Sequence, residues 1–93
     1  SVTGLPLQFM LEQNYPNPFN PQTTISFTLA RAGEITVKVF DILGREVAMI
    51  ANGFYPAGSH SVTWSAQSVA SGVYFYQLST HDGIETKNLM VLR

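Results

Sequence analysis

Cysteine is absent from the 93 residues, and charge is scarce: six acidic and five basic side chains leave a formal net charge of −1. The first absence removes disulfides and thiolate metal sites, and it suits either a cytosolic protein or an exported one without cross-links. The second removes the basic footprint that nucleic acid or an anionic lipid surface requires. Long apolar runs are missing too, so no segment is predicted to insert directly into a membrane. The opening Ser1-Val-Thr-Gly4 has none of the charged-then-apolar layout of a secretory signal.

What is present points to strands. Eight Ser and eight Thr supply polarity in place of charge. Val, Ile, Thr and the aromatic residues make up 32 of 93 positions, and these types fit a pleated surface. The length suits one domain with one core, able to bury roughly two thirds of the unfolded chain's surface.

Glycine marks the turns. Ala32-Gly33, Leu43-Gly44, Asn52-Gly53, Ala57-Gly58, Ser71-Gly72 and Asp82-Gly83 punctuate the chain at short intervals. Between them apolar residues alternate: Ile25, Phe27 and Leu29, then Ile35, Val37 and Val39, then Val62 and Trp64. The pattern predicts strands over 8–14, 23–30, 34–41, 45–51, 59–65, 72–80 and 84–92. Seven short strands without a helix predict an all-β, seven-stranded antiparallel sandwich of the immunoglobulin-like kind. Hairpins are expected at Asp41–Gly44 and at His81–Gly83.

Two stretches depart from alternation. Asn14-Tyr-Pro-Asn-Pro-Phe-Asn-Pro21 holds three of the five prolines, each lacking a ladder donor. It is expected to be a rigid extended connection crossing between the sheets, with Tyr15 and Phe19 packed beneath. Val73–Tyr76 and Leu89–Leu92 are apolar at consecutive positions, which implies central strands covered on both sides or a face offered to a partner.

Chemistry-bearing patterns are sparse. His60 and His81 stand 21 residues apart with no ligand spacing, so no metal or other cofactor is predicted. His60 reads as packed near a strand start and His81 as solvated. Asp41, Glu46, Asp82 and Glu85 flank the hairpins. A carboxylate pair for glycoside hydrolysis or an oxygen site for calcium would need spacings that are absent. Gly58-Ser59-His60 is no nucleophile elbow. No catalytic residue and no enzyme activity is expected. Trp64 shares parity with the core, leaving Tyr55 as the better candidate for an exposed aromatic.

Four blocks, taken together, carry a resemblance: Leu11–Pro21 with Thr23-Thr-Ile-Ser-Phe27; Val37–Val47; Ala57–His60 with Val62-Thr-Trp64 and Ala70–Leu78; and Glu85–Arg93. In that order the chain resembles the type A C-terminal sorting domain of the type IX (Por) secretion system. That family is related to the immunoglobulin-like domain of the flagellar hook-capping protein. The resemblance covers residues 11–93 and makes residues 1–10 a linker or the tail of an upstream parent domain. It implies a non-catalytic signal that directs a larger protein from the periplasm through the outer-membrane type IX translocon. A sortase-like peptidase and attachment at the cell surface of a Gram-negative bacterium follow. By the same resemblance the recognition residues are Pro16, Asn17, Pro18, Gly72, Tyr74, Lys87 and Arg93. Lys87 and Arg93 lie on a terminal strand expected to present an unpaired edge, for docking by strand addition or a weak dimer; otherwise the domain is a monomer. The family has an acidic residue where this chain has Ser65, and a second basic residue where it has Asn88. A carbohydrate-binding or adhesive module on the same sandwich is the alternative.

Overall fold

Period-two alternation becomes seven strands in the computed structural model, which describes residues 9–17, 22–67 and 69–92. They are β1 (Phe9–Leu11), β2 (Gln22–Leu29), β3 (Gly33–Phe40), β4 (Glu46–Tyr55), β5 (Gly58–Ser65), β6 (Gly72–Thr80) and β7 (Gly83–Val91). All pairings are antiparallel, in a three-stranded sheet β1-β2-β5 and a four-stranded sheet β4-β3-β6-β7. This is the expected immunoglobulin-like sandwich. Ile25 and Phe27 of one sheet meet Val37, Val39, Tyr76 and Leu78 of the other, all fully buried. Trp64 closes the core edge-on against Tyr74, with ring centroids 6.3 Å apart.

The register gives the molecule two distinct ends. At the proximal end lie the start of β1, the β2–β3 and β4–β5 connections and the β6–β7 turn. At the distal end lie the β1–β2, β3–β4 and β5–β6 connections and the close of β7. The chain therefore enters β1 at one end and leaves β7 at the other. The β3–β4 turn forms as expected. Asp41 Oδ1 accepts from Leu43 N and Arg45 N, both at 2.9 Å, and Gly44 takes the left-handed conformation at φ 84°.

Three expectations need correction. β4 runs through Asn52-Gly53 to Tyr55, because Gly53 pairs with Ile35 and the chain reverses only at Pro56-Ala57. The Asn14–Pro21 run joins β1 and β2, neighbours in one sheet, and so does not cross between sheets. Tyr15 is 80% exposed rather than packed beneath it, since Asn14 takes the buried place. Phe19 lies outside the described residues.

Candidate recognition site

Asn14 is inside because its N–H and its side-chain amide find partners there. Its N–H donates to Tyr76 Oη at 2.8 Å, and Nδ2 donates to Thr23 Oγ1 at 2.9 Å and to the Pro16 carbonyl at 3.1 Å. Thr23 in turn donates to the Pro16 carbonyl at 2.9 Å. Tyr76 completes the network by donating to the Glu12 carbonyl at 2.7 Å. Burial pushes the Tyr76 hydroxyl up to about 12, helped by the nearby Glu85 carboxylate and opposed by the Asn14 N–H. Pro16 therefore acts through its backbone carbonyl, as an acceptor for two buried groups.

Asn17 does something different. Its Oδ1 accepts from Met90 N at 3.0 Å, while Gln13 Nε2 donates to Asn88 O at 2.8 Å. Strand alternation puts the backbone groups of Ile84, Thr86, Asn88 and Met90 on the side of β7 away from β6. β7 is thus an edge strand, as expected, but the side chains of Gln13 and of Asn17 in the Asn-Pro run close part of that edge. The reverse contact closes β1, whose Leu11 N donates to Glu85 Oε1 at 3.0 Å. Replacing Asn17 by alanine should leave the fold intact while removing Met90's partner. Amide exchange at Met90 should quicken tenfold or more, with a stability loss of about 1 kcal/mol. Unchanged exchange would mean that the Asn17 contact does not hold that edge.

Gly72 and Tyr74 sit beside these groups. Gly72 opens β6 opposite Val91, and Tyr74 stands opposite Leu89. The Tyr74 ring is buried and its hydroxyl donates to the Ala70 carbonyl at 2.8 Å. That is the tyrosine corner of immunoglobulin-like folds, in which a core tyrosine ties its strand to the preceding connection. Asn17, Gly72 and Tyr74 are accordingly gathered at the distal end. Lys87 is not: it lies four residues before Val91, about 13 Å along the strand. It has the inward parity of Glu85, Leu89 and Val91, and its Nζ is 4.0 Å from Glu85 Oε2. Pro18 and Arg93 fall outside the described residues.

Asn14, Gln13, Glu85 and Tyr76 are the members that sequence reasoning missed. Tyr76 shares parity with Tyr74, which is the one signal that could have found it. His60 packs as expected, 5.5 Å from Phe27 and 5.1 Å from Tyr55 by ring centroids. Tyr55 is consequently half-buried rather than a free platform, and His81 is exposed. No cluster of three His, Cys, Asp or Glu side chains occurs among the described residues. A concavity of about 570 Å³ opens at the proximal end around Arg31, Glu34, Asn52 and Asp82, without Phe, Tyr or Trp in its walls. Arg31 and Asp82 form an ion pair there, and the guanidinium holds the Asp82 carboxyl below its ordinary range.

A family model for the secretion system C-terminal sorting domain matches residues 13–92. The curated proteins contain no match. Among solved structures, the chain is similar to part of PorZ from Porphyromonas gingivalis, described as an essential bacterial surface component of the type-IX secretion system. The likeness has 26% identity and a TM-score of 0.62, and it covers 87% of this chain but 11% of that one.

Proposed function

The chain belongs to the secretion system C-terminal sorting domain family, and on that membership we propose that it directs a larger parent protein across the outer membrane by the type IX route, followed by attachment at the cell surface. The observation that carries this reading is the polarity of the sandwich. The chain enters at the proximal end, while Pro16, Asn17, Gly72 and Tyr74 gather at the other. A passenger joined through residues 1–10 would leave the distal end free to meet the translocon, and a sortase-like peptidase would cut in that connecting stretch. Pro16, Gly72 and Tyr74 build the distal end, whereas Asn17, Pro18 and Arg93 are assigned to contact, and Lys87 to a second contact further along β7, away from that end. Lys87 has a weak ion pair to give up, since a 4.0 Å partially exposed pair contributes little to stability.

The sugar-binding alternative is less favoured, because Trp64 is buried, Tyr55 is half-buried against His60, and the proximal concavity has no Phe, Tyr or Trp in its walls to stack a sugar ring. The test is export in a bacterium that carries the type IX system. Residues 11–93 fused behind a periplasm-targeted reporter should bring it to the surface. Lys87→Ala should lower that yield severalfold without altering the unfolding midpoint. An unmodified fusion that stays in the periplasm would overturn the sorting reading. Full export of the Lys87→Ala fusion would remove Lys87 from the contact set.

A further inference from the structure

The two outer faces of this sandwich are chemically opposite. On the three-stranded sheet Thr24, Ser26 and Thr28 stand across from Thr63, Ser61 and Ser59. Their hydroxyls bond to one another, Ser26 to Ser61 at 3.1 Å and Thr28 to Ser59 at 3.3 Å. That face is polar, uncharged and partly self-satisfied. On the four-stranded sheet apolar side chains gather in the distal half, with Glu46 and Asn88 beside them. Phe40 is directly opposite Phe75, and Val73 is directly opposite Met90. In the adjoining turn Ile42 and Leu43 expose 70% and 72% of their surface. A shallow concavity of about 320 Å³ opens between Phe40, Asp41, Ile42, Gly44, Phe75 and Gln77, the Asp41 carboxylate being engaged by its own turn and by Arg45.

Nothing in the fold requires Ile42 and Leu43 to be apolar. The turn is made by the Asp41 carboxylate and by Gly44, and the two side chains between them point into solvent. Two aliphatic residues at the tip of a hairpin, beside half-buried aromatic rings, mark a surface that a partner covers.

We propose that this distal apolar face is the docking surface for a protein component of the export machinery, which seats an apolar side chain between Phe40, Ile42 and Phe75. The proposal rests on the sorting function and names the surface that performs it. Three observations select a protein partner of this chemistry. The charges around the patch are already paired, Lys38 with Glu46 at 3.4 Å and Arg45 with Asp41 at 2.8 Å. Among the described residues no uncompensated positive charge is therefore offered there to anionic lipid. Its exposed members, Ile42, Leu43, Val73 and Met90, are few beside the roughly 20–30 residues a side of a stable interface, so the patch suits the apolar anchor of a larger contact rather than the whole of a symmetric dimer. The β7 edge beside the patch is closed at Asn88 and Met90 by Gln13 and Asn17, so a partner must engage side chains there rather than add a strand. An apolar anchor filling a small pocket is the usual core of such a contact.

The test uses the reporter fusion carrying Ile42→Ser and Leu43→Ser together, with Phe54→Ser and Ile84→Ser at the proximal end as the control pair. Phe54 and Ile84 expose 65% and 63% of their surface, so both pairs remove comparable apolar area at no cost to the core. The distal pair should cut surface display tenfold or more, while the control pair leaves it unchanged and both keep the parental unfolding midpoint. Equal display by the two pairs would overturn the proposal. So would a concentration-dependent dimer, or binding to vesicles of anionic phospholipid, that the distal pair abolishes, since the occupant would then be a second copy or a membrane. Failure of the unsubstituted fusion to leave the periplasm is the separate result that removes the sorting function itself.

Discussion

Tyr76→Phe is expected to lower the unfolding free energy by about 2–4 kcal/mol, although it removes a single oxygen. The ring is fully buried and its volume is kept, so no cavity opens. The loss comes from two backbone groups. Asn14 N–H donates to the Tyr76 hydroxyl, which itself donates to the Glu12 carbonyl; without that oxygen the buried N–H and the part-buried carbonyl both lose their partner. Each buried group left unpartnered costs about 1–3 kcal/mol. Urea unfolding should show a lower midpoint at unchanged slope. A shift below about 0.5 kcal/mol would mean that water enters to replace the hydroxyl, and that the network does not hold the Asn-Pro run to the core.

A pH series separates the same contact from general destabilisation. The Tyr76 hydroxyl is raised to about 12 in the folded protein, chiefly by burial, from an ordinary value of 10.0. The unfolded chain therefore releases this proton first as pH rises. The stabilisation tied to the neutral hydroxyl is complete below pH 10 and is lost as pH climbs towards 12. The stability gap between the parent and Tyr76→Phe should narrow across that window and stay constant below it.

Gly72→Ala is the second large effect, expected to cost about 1–3 kcal/mol. A Cβ at this position would touch no atom within 4 Å, so crowding is not the cause. The cause is φ of 149°, a backbone conformation that side-chain-bearing residues rarely adopt. Gly33 is the matched control, with equal space and no such φ, and Gly33→Ala should fall within about 1 kcal/mol of the parent, in either direction. Thermal or urea unfolding of the two variants decides the matter, and equal midpoints would show that the Gly72 backbone carries no special demand. If export of a Gly72→Ala fusion falls only as far as its stability does, Gly72 belongs to the scaffold of the distal end. Loss of export at retained stability would make it part of the contact.

Much of this protein is legible in one dimension. Ile25, Phe27 and Leu29, and Ile35, Val37 and Val39, announce the two inner faces because a strand turns each successive side chain to the opposite side. Asp41-Ile42-Leu43-Gly44 announces its own turn, because the carboxylate cap and the left-handed glycine are local requirements. The low charge is equally local: Ser and Thr on the outer positions of β2 and β5 make a face polar without ionising. Those determinants act over a few residues, which is why reading along the chain finds them. The four ordered blocks extend the same legibility to family membership.

Only the folded chain decides what is distant in sequence. Nothing local tells Asn14 from Tyr15 as the buried member of the run; Asn14 goes inside because Tyr76 and Thr23, 62 and 9 residues away, supply the partners that a buried amide needs. Asn17 closes β7 because a sandwich leaves the edges of β1 and β7 side by side, and unpaired edge groups take whatever side chains lie across the gap. The scattered hydrophobics Phe40, Ile42, Phe75 and Met90 become one surface only when β3, β6 and β7 are laid in register. Composition and periodicity thus determine the sandwich and its turns, because those depend on near neighbours. The closed edge and the apolar distal face depend on register between strands, and register exists only in the tertiary structure.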